Sequence, residues 1–249
     1  ADDAPPPRSS HVCAIWGAAG AAILHGGLGN DGTMADVWML GELDHGWQRC
    51  ETDGARVARA HHCGGITRDE LLIFSGQDEG LLTTDTICIL ELRSFRWSVC
   101  TMPGGPHARI DASAAAIDGL GLVVFGGVGS EFEFVKSTPW LIAPTGENAV
   151  TSWSAVSPWG KVGPRPRACA SLAYGDNLHV YVFGGFDGVT DMDDLWCLSL
   201  RPGAFVDGAV EQGQRESGAA RGVGDFDNEV IASEFKARRA ALLRRRRRS

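Results

Sequence analysis

A short motif occurs four times in this 249-residue chain, and it restricts the possible folds more than any other feature. Each copy is an apolar run that ends in a glycine pair or, in the second copy, in Ser-Gly. The runs are AILHGG, LLIFSG, LVVFGG and VYVFGG, which end at Gly27, Gly76, Gly127 and Gly185. Self-similarity at a period of about 50 residues is typical of repeat architectures. The chain is therefore predicted to contain four copies of one structural unit.

Four further positions recur in a fixed order around each glycine pair. An arginine precedes the glycine pair. Ten positions after the first residue of the pair comes an aspartate, and two positions after the aspartate comes a variable residue. A large aromatic residue ends the unit. The variable position holds Trp38, Ile87, Thr138 and Trp196. The predicted structural markers are Gly26, Gly27, Asp36, Trp47, Gly76, Asp85, Trp97, Gly126, Gly127, Trp153, Gly184, Gly185 and Asp194. The third unit departs from the pattern with Lys136 in place of the aspartate, and the fourth with Phe205 in place of the tryptophan.

Each unit divides into four short strand candidates that are rich in Val, Ile, Leu and Phe and bounded by Gly, Asp and Pro. Four such strands form one blade of a β-propeller. The markers resemble the kelch repeat, whose pattern is an arginine, an apolar strand ending in a double glycine, and then spaced aspartate and aromatic residues. The resemblance covers about residues 5–210. It implies an all-β, kelch-type propeller over residues 1–210, with four-stranded blades at about residues 5–52, 53–103, 104–158 and 159–210.

Four blades are fewer than the resemblance implies for a closed ring, since kelch propellers usually have five to seven. An open arc leaves two unpaired edges, which invite association. We therefore expect an incomplete or partner-capped ring. The alternatives are further blades in another part of the protein and an unusual closure with four blades.

The C-terminal residues differ in composition from the repeats. Residues 211–228 are rich in Gly and Ala and are predicted to be a linker. Residues 229–249 are predicted to form a basic amphipathic helix, because their apolar residues recur at helical spacing. Its last turn is expected to contact an acidic or anionic partner, or else to be solvated without a dedicated target. The basic residues are Arg244, Arg245, Arg246, Arg247 and Arg248.

Charge and cysteine content restrict the compartment and the partners. The net charge of −8 argues against a broad nucleic-acid surface, which requires Lys and Arg. The seven cysteines are odd in number and contain no Cys-x-x-Cys pair, which weighs against a disulfide framework and a zinc site. We expect an intracellular, reducing compartment: the cytoplasm, with an organelle after presequence removal or the nucleus as alternatives. No apolar run is long enough to span a membrane.

No catalytic constellation, metal site or cofactor is predicted. A copper site like that of galactose oxidase, a kelch-type propeller, is not expected, because the two tyrosines, Tyr174 and Tyr181, point to opposite faces of an extended strand. His11 and His62 follow the arginines of the first two units by three residues and are predicted to form local hydrogen bonds at the start of a strand. The acidic loops lack the spacing of a calcium-binding loop and are interpreted as solvated turns.

The expected function is that of a protein-interaction scaffold that binds through a loop face, open blade edges and the C-terminal helix. In kelch propellers the arginine segments and the loops after the double glycines share one face, which commonly holds peptides or protein segments. The predicted binding residues are Arg8, Ser9, Asn30, Asp31, Arg59, His61, Gln77, Asp78, Arg109, Asp111, Ser130, Glu131, Arg167, Phe186 and Asp187.

Two interpretations of the repeated arginines stay open at this point. Four guanidinium groups near a central channel could clamp carboxylates of a partner bidentately. Alternatively, each arginine pairs with the acidic loops of its own or the next blade. The alternatives for the whole protein are an accessory kelch domain of a larger enzyme, such as a phosphatase or a ubiquitin-ligase adaptor, and a structural subunit of a large assembly.

Overall fold

The computed structural model describes residues 4–41, 46–101, 104–145, 150–156, 163–175, 178–200 and 205–207. In these ranges the chain consists of β-strands and turns, with one turn of 3-10 helix at Gly17–Ala19. The described part is all-β, which confirms the predicted fold class. The predicted linker at 211–228 and basic helix at 229–249, with its five arginines, lie outside the described residues.

The first repeat forms a four-stranded antiparallel sheet and a small ribbon. Its strands are β1 (Val12–Trp16), β2 (Ala21–His25), β3 (Leu28–Gly29), β4 (Gly32–Thr33), β5 (Val37–Leu40) and β6 (Trp47–Cys50). The sheet order is β1-β2-β5-β6, and β3 pairs with β4 in the loop after the double glycine. Gly26 ends β2 at a φ of 65°, a left-handed conformation that favours glycine.

The second repeat repeats this sheet and adds a fifth strand. Its strands are β7 (Asp53–Gly54), β8 (Cys63–Thr67), β9 (Glu70–Phe74), β10 (Ile87–Glu91) and β11 (Arg96–Cys100). The sheet order is β7-β11-β10-β9-β8, and β7 runs parallel to β11 at the outer edge. The connection between the first two repeats therefore contributes to the edge of the second sheet.

The third repeat forms a sheet of the same kind with a ribbon beside it. Its strands are β12 (Arg109–Ile110), β13 (Ser113–Ile117), β14 (Gly121–Phe125), β15 (Val128–Gly129), β16 (Trp140–Thr145) and β17 (Val150–Val156). Strands β13, β14, β16 and β17 are antiparallel neighbours in that order, and β12 pairs with β15.

The fourth repeat forms a three-stranded sheet in the described residues. Its strands are β18 (Ser171–Tyr174), β19 (His179–Phe183) and β20 (Leu195–Ser199). The last strand, β21 (Phe205–Asp207), pairs with β17 of the third sheet, with Phe205 opposite Val156. The prediction that Phe205 marks the outer strand of the fourth blade is therefore wrong. The sequence marks an extended aromatic segment but not which sheet edge it joins, and the edge of β17 offers it main-chain partners.

The aspartate position of the repeat is shifted by one residue in the second unit. The N–H that follows the second strand donates to the carbonyl of the residue before the third strand. These pairs are Gly26 and Asp36, Ser75 and Thr86, and Gly184 and Asp194, at 3.2, 3.1 and 3.1 Å. Thr86 thus takes the position that the ten-residue spacing gave to Asp85, so that assignment is wrong. Surface loops vary in length without disturbing the sheet, and a fixed offset misses such an insertion.

The same shift is larger in the third unit. Trp38 lies opposite Leu24, and Trp140 lies opposite Val124 in the equivalent place. Trp140 is therefore the structural counterpart of Trp38, whereas the sequence spacing gave this position to Thr138. The loop of the third unit is longer, and the tryptophan is retained behind it.

Successive sheets pack face to face in chain order, with an apolar cluster in each gap. We call the side of a sheet that faces the next repeat its trailing face and the opposite side its leading face. In β9, Leu71 and Ile73 pack toward the first sheet, while Leu72 and Phe74 pack toward the third. The sequence of a strand that is buried on both faces is a continuous apolar run, which explains the composition of the repeated motif. The third gap is filled by residues such as Val123, Leu141, Val180 and Leu198.

The late aromatic residues take different positions. Trp97 is buried in the gap between the first and second sheets, and Trp47 is half-buried at the start of β6. Trp153 lies opposite Ile142 in β17, and its side chain lies outside the described part of the structure.

Candidate functional site

The loop face is held together by one main-chain bridge in each repeat. The residue after each arginine pairs with the first residue after each glycine pair or, in the second repeat, after Ser-Gly. The pairs are Ser9 and Leu28, Ala60 and Gln77, Ile110 and Val128, and Ala168 and Phe186. The arginine segments and the post-glycine loops therefore lie side by side in all four repeats. This arrangement brings the two sets of predicted binding residues to one end of the sheets.

Two of the four arginines form bidentate ion pairs inside their own repeat. Arg8 donates from Nη1 and Nη2 to the two carboxylate oxygens of Asp36 at 2.7 Å each, and its side chain is buried. Arg167 pairs with Asp194 in the same way and donates to the carbonyl of Gly184 at 2.9 Å. The hydrogen bonds from Arg167 lower the pKa of Asp194 to about 2. These guanidinium groups support the turn at the glycine pair.

Asp36 shows two opposing effects on its acidity. Burial raises the pKa of its carboxyl group, but the hydrogen bonds from Arg8 and from Trp38 Nε1 outweigh that effect, and the pKa is lowered. Trp38 Nε1 donates to Asp36 at 2.6 Å, and Trp196 Nε1 donates to Asp194 at the same distance. The recurring aspartate therefore holds the arginine and the tryptophan of its own unit.

The other two arginines bond to neutral acceptors. Arg59 donates to the carbonyl of Ser75 at 3.2 Å and to the hydroxyl of Thr84. Arg109 donates to the carbonyls of His107 and Gly126 at 3.0 and 3.1 Å, and burial lowers its pKa to about 10. All four guanidinium groups are thus turned into the protein. The geometry favours the structural alternative for these residues over a carboxylate clamp.

Four residues at the same repeat position line one shared cleft. Each lies two residues after its arginine and has a left-handed backbone, with φ between 55° and 56°. They are Ser10, His61, Asp111 and Cys169, and they line a cleft of about 580 Å³ together with the starts of the inner strands. Non-glycine residues held in this conformation often occur at functional sites. Sequence reasoning selected His61 and Asp111 but missed the other two, although their fixed distance from the arginine was visible.

Two of the side chains that line this cleft interact with each other. His61 Nδ1 lies 2.8 Å from Asp111 Oδ1. Burial, together with the charge of Asp111, raises the pKa of the Cys169 thiol to about 11. The thiol is therefore protonated near neutral pH, and a protonated thiol is a poor nucleophile.

His62 takes a different role from the one predicted. Its Nε2 lies 3.4 Å from Nδ1 of His25 in the first sheet, so it bonds across two repeats rather than locally. His25 Nε2 lies 2.9 Å from the carbonyl of Val57. Both rings are buried, and this pair belongs to the packing between the sheets.

The loops after the glycine pairs are strongly acidic. Loops 28–35, 77–85, 128–138 and 186–193 contain one, three, two and three acidic residues and a single basic residue, Lys136. Among the predicted binding residues, Ser9, Asn30, Asp31, Ser130 and Glu131 are exposed, and Gln77, Asp78, Phe186 and Asp187 are half-buried. The exposed chemistry of this face is therefore anionic.

The described ranges contain no group of three or more His, Cys, Asp or Glu side chains suited to a metal ion. They also contain no helix that is long and apolar enough to cross a membrane.

Comparisons with known proteins agree with this geometry. The family model of the KLHDC2/KLHL20/DRC7 kelch-repeats domain matches residues 43–214. Acyl-CoA-binding domain-containing protein 5 of Arabidopsis thaliana is 23% identical over 72% of the chain and 28% of its own length. Tip elongation aberrant protein 1 of Schizosaccharomyces pombe is 27% identical over 80% of the chain and 18% of its own length. The chain spans less than a third of these curated relatives.

A solved structure shares the fold. The structure of YjhT superposes with a TM-score of 0.58 at 13% identity, covering 72% of this chain and 59% of that one. The matched kelch-repeats domain covers more than half of the chain, and it includes the glycine motifs and the arginines of the second, third and fourth repeats. The chain therefore belongs to the kelch-repeat family.

Proposed function

We propose that this protein is a kelch-repeat interaction module that binds a basic segment of a partner protein on its loop face. Kelch repeats are generally non-catalytic interaction domains, which supports a binding role. The observation that supports a basic partner is the excess of carboxylates in the four post-glycine loops, while the guanidinium groups of the repeated arginines donate into the protein. Complementary charge speeds encounter and selects partners.

Exposed carboxylates from different repeats can act together on one extended ligand. Asp31, Glu131 and Asp191 are exposed and come from the first, third and fourth loops. A single exposed ion pair contributes little, so several such contacts are needed for a useful affinity. A lysine- or arginine-rich segment lying across the loop face would meet them in turn.

A direct test uses a short lysine-rich peptide and a glutamate-rich peptide of equal length, each followed by fluorescence anisotropy. The lysine-rich peptide should bind more tightly, and its affinity should fall as salt concentration rises. The triple variant Asp31→Asn, Glu131→Gln, Asp191→Asn should weaken binding about tenfold, as expected for three exposed ion pairs.

The matched control removes one carboxylate at the opposite end of the sheets. Asp118 lies in the turn between β13 and β14 and accepts a hydrogen bond from the N–H of Arg68, which asparagine also can accept. Asp118→Asn should leave peptide binding unchanged. Preference for the glutamate-rich peptide, or equal binding by the triple variant, would reject the proposal. Crosslinking mass spectrometry on protein from its native source would then identify the partner and the face together.

A second candidate is that the module serves as an accessory domain within a larger protein. The support is that the matching regions occupy less than a third of their relatives, as in the acyl-CoA-binding domain-containing protein. Under this alternative the loop face binds a basic segment of the same polypeptide or of its substrate protein. The full-length transcript distinguishes the two, because a catalytic or adaptor domain on it would favour the second.

All seven cysteines are free thiols, which supports a reducing compartment, and we propose the cytoplasm.

A further inference from the structure

The trailing face of the fourth sheet is apolar and exposed at a position that is buried in the other sheets. The last residue of the second strand is His25, Phe74, Phe125 or Phe183 in the four repeats. The first three are at most 1% exposed, whereas Phe183 is 52% exposed. The difference arises because each of the first three sheets has a successor packed on its trailing face.

Two neighbouring positions on the same face behave alike. Tyr181 is 37% exposed, while its counterpart Val123 in the third sheet is fully buried. Leu195 is 66% exposed, while Ile87, its counterpart in the second sheet, is fully buried. Contiguous exposed apolar side chains of this kind mark an interaction surface.

The main chain at this face also lacks partners that its counterparts have. In each of the first three repeats, the N–H of the second glycine donates to the carbonyl of the arginine in the next repeat. These bonds join Gly27 to Arg59, Gly76 to Arg109 and Gly127 to Arg167, at 2.8, 2.9 and 2.8 Å. The N–H of Gly185, the fourth member of the series, has no hydrogen-bond partner among the described residues.

A second series of main-chain hydrogen bonds joins the left-handed residues that line the shared cleft. Each left-handed residue donates its N–H to the carbonyl of the previous one, from His61 to Ser10, from Asp111 to His61 and from Cys169 to Asp111. The distances are 3.1, 3.1 and 2.9 Å. Within the described ranges, the carbonyl of Cys169 at one end of the series accepts no hydrogen bond, and the N–H of Ser10 at the other end donates none.

The glycine pairs show the same difference in the space around them. A Cβ at Gly26 or Gly126 would lie 2.5 or 2.3 Å from the arginine carbonyl of the next sheet. At Gly184 the nearest atom would be the carbonyl of Met192 in the same repeat, at 3.2 Å. In the first and third sheets the glycine allows the close approach of the following sheet. Gly184 occupies the same position in the fourth sheet, although no following sheet approaches it among the described residues.

The leading side of the first sheet offers the matching groups. The carbonyl of Arg8 and the N–H of Ser10 are without partners in the part of the chain that is described. Ile15 is 69% exposed, while its counterpart Ile66 in the second sheet packs against the first sheet. Thus one end of this chain has the donor and the acceptor groups that the other end requires.

We propose that the trailing face of the fourth sheet binds the leading side of the first sheet of a second copy of this chain. Gly185 N–H then donates to the carbonyl of Arg8 of the second copy, and Ser10 N–H of the second copy donates to the carbonyl of Cys169. The contact continues the three sheet-to-sheet interfaces already present within one chain. It is a head-to-tail interface, and two copies close it into a ring when both ends are used.

The test measures mass by size-exclusion chromatography with light scattering for the full chain and two variants. Phe183→Glu disables the trailing face, and Ile15→Glu disables the leading side. The unmodified chain should have twice the 26.5 kDa of one chain, and each variant alone should have the mass of one. An equimolar mixture of the two variants should return to the double mass, because each keeps the side that the other has lost.

Val99→Glu is the matched control, since Val99 is 44% exposed on β11 of the second sheet, away from both sides. It should associate as the unmodified chain does. Circular dichroism establishes that each variant is folded. A single-chain mass for the unmodified protein at every concentration, or a mixture that stays at the single mass, would overturn the proposal. Crosslinks from residues 229–249 to Tyr181 or Leu195 peptides within one copy would overturn it in favour of the chain's own C-terminal segment.

The result is independent of the loop-face proposal. Phe183 and Ile15 lie on sheet faces rather than in the acidic loops, so both variants should bind the lysine-rich peptide with unchanged affinity per chain. Failure of association and failure of peptide binding are therefore separate outcomes.

Discussion

At the scale of single residues, the most unusual feature is the pair of buried imidazoles between the first two sheets. Since a carbonyl can only accept, His25 Nε2 carries the proton that is donated to Val57. His25 Nδ1 then accepts from His62 Nε2, so both rings are neutral in this arrangement. Burial lowers the pKa of His25 to about 4 and holds that of His62 well below its usual range.

These histidines should make the fold sensitive to mild acid. The unfolded chain binds protons on His25 and His62 below about pH 6.5, whereas His25 in the folded chain resists protonation until about pH 4 and burial also disfavours the protonated form of His62. Stability is therefore complete above pH 6.5 and is lost as the pH falls toward 4. For His25 alone the loss is on the order of 3 kcal/mol. Urea unfolding measured across this pH range checks the expectation.

The repeat itself supplies the matched variant. The other three repeats have phenylalanine at the position of His25, so His25→Phe preserves shape and removes one titrating group. Between pH 6.5 and 4, the free energy of unfolding of the variant should fall less than that of the unmodified protein. The part of the decrease that comes from protonation of carboxylates should remain. An identical pH dependence in both proteins would show that His25 is protonated equally in the folded and unfolded states.

At the scale of elements, the sequence was sufficient to locate the strands that end in glycine pairs. The apolar runs correspond to β2, β9, β14 and β19, because a strand that lies between two packed sheets, as β9 and β14 do, has a distinctive composition. The positions beyond the loops were harder, since loops of unequal length shifted Thr86 and Trp140 away from their expected places. The edge that β21 joins could not be predicted either, because edge pairing depends on which sheet offers free main-chain groups.

The ten-residue spacing treats Asp85 and Asp194 as equivalent, whereas the strand pairing in the structure predicts a large effect for one and a small effect for the other. Asp194→Ala should lower the free energy of unfolding by about 2 kcal/mol, because the fully buried Arg167 loses its carboxylate. Asp85→Ala should change it by less than about 0.5 kcal/mol, since Asp85 is exposed and Thr86 takes its structural place. Urea unfolding of the two variants gives both values. Equal losses would restore the ten-residue register.

At the scale of the whole molecule, stability comes from contacts between neighbouring repeats, as in other repeat proteins. The sequence predicted that four sheets are too few for an ordinary ring, and the exposed Phe183 and Leu195 agree with an open end. It could not decide between a carboxylate clamp and inward pairing for the repeated arginines, because their acceptors include carbonyls that only the folded backbone brings near. It also did not identify the left-handed series at the shared cleft, since Ser10 and Cys169 share no chemistry with His61 and only their distance from the arginine marks them.

The central claim is that successive repeats are sheets joined face to face by the N–H groups of the double glycines. Amide hydrogen exchange followed by NMR on the Phe183→Glu variant tests it most directly. The account predicts slow exchange at Gly27, Gly76 and Gly127, whose N–H groups bond to the next repeat, and fast exchange at Gly185. Fast exchange at all four glycines would contradict it.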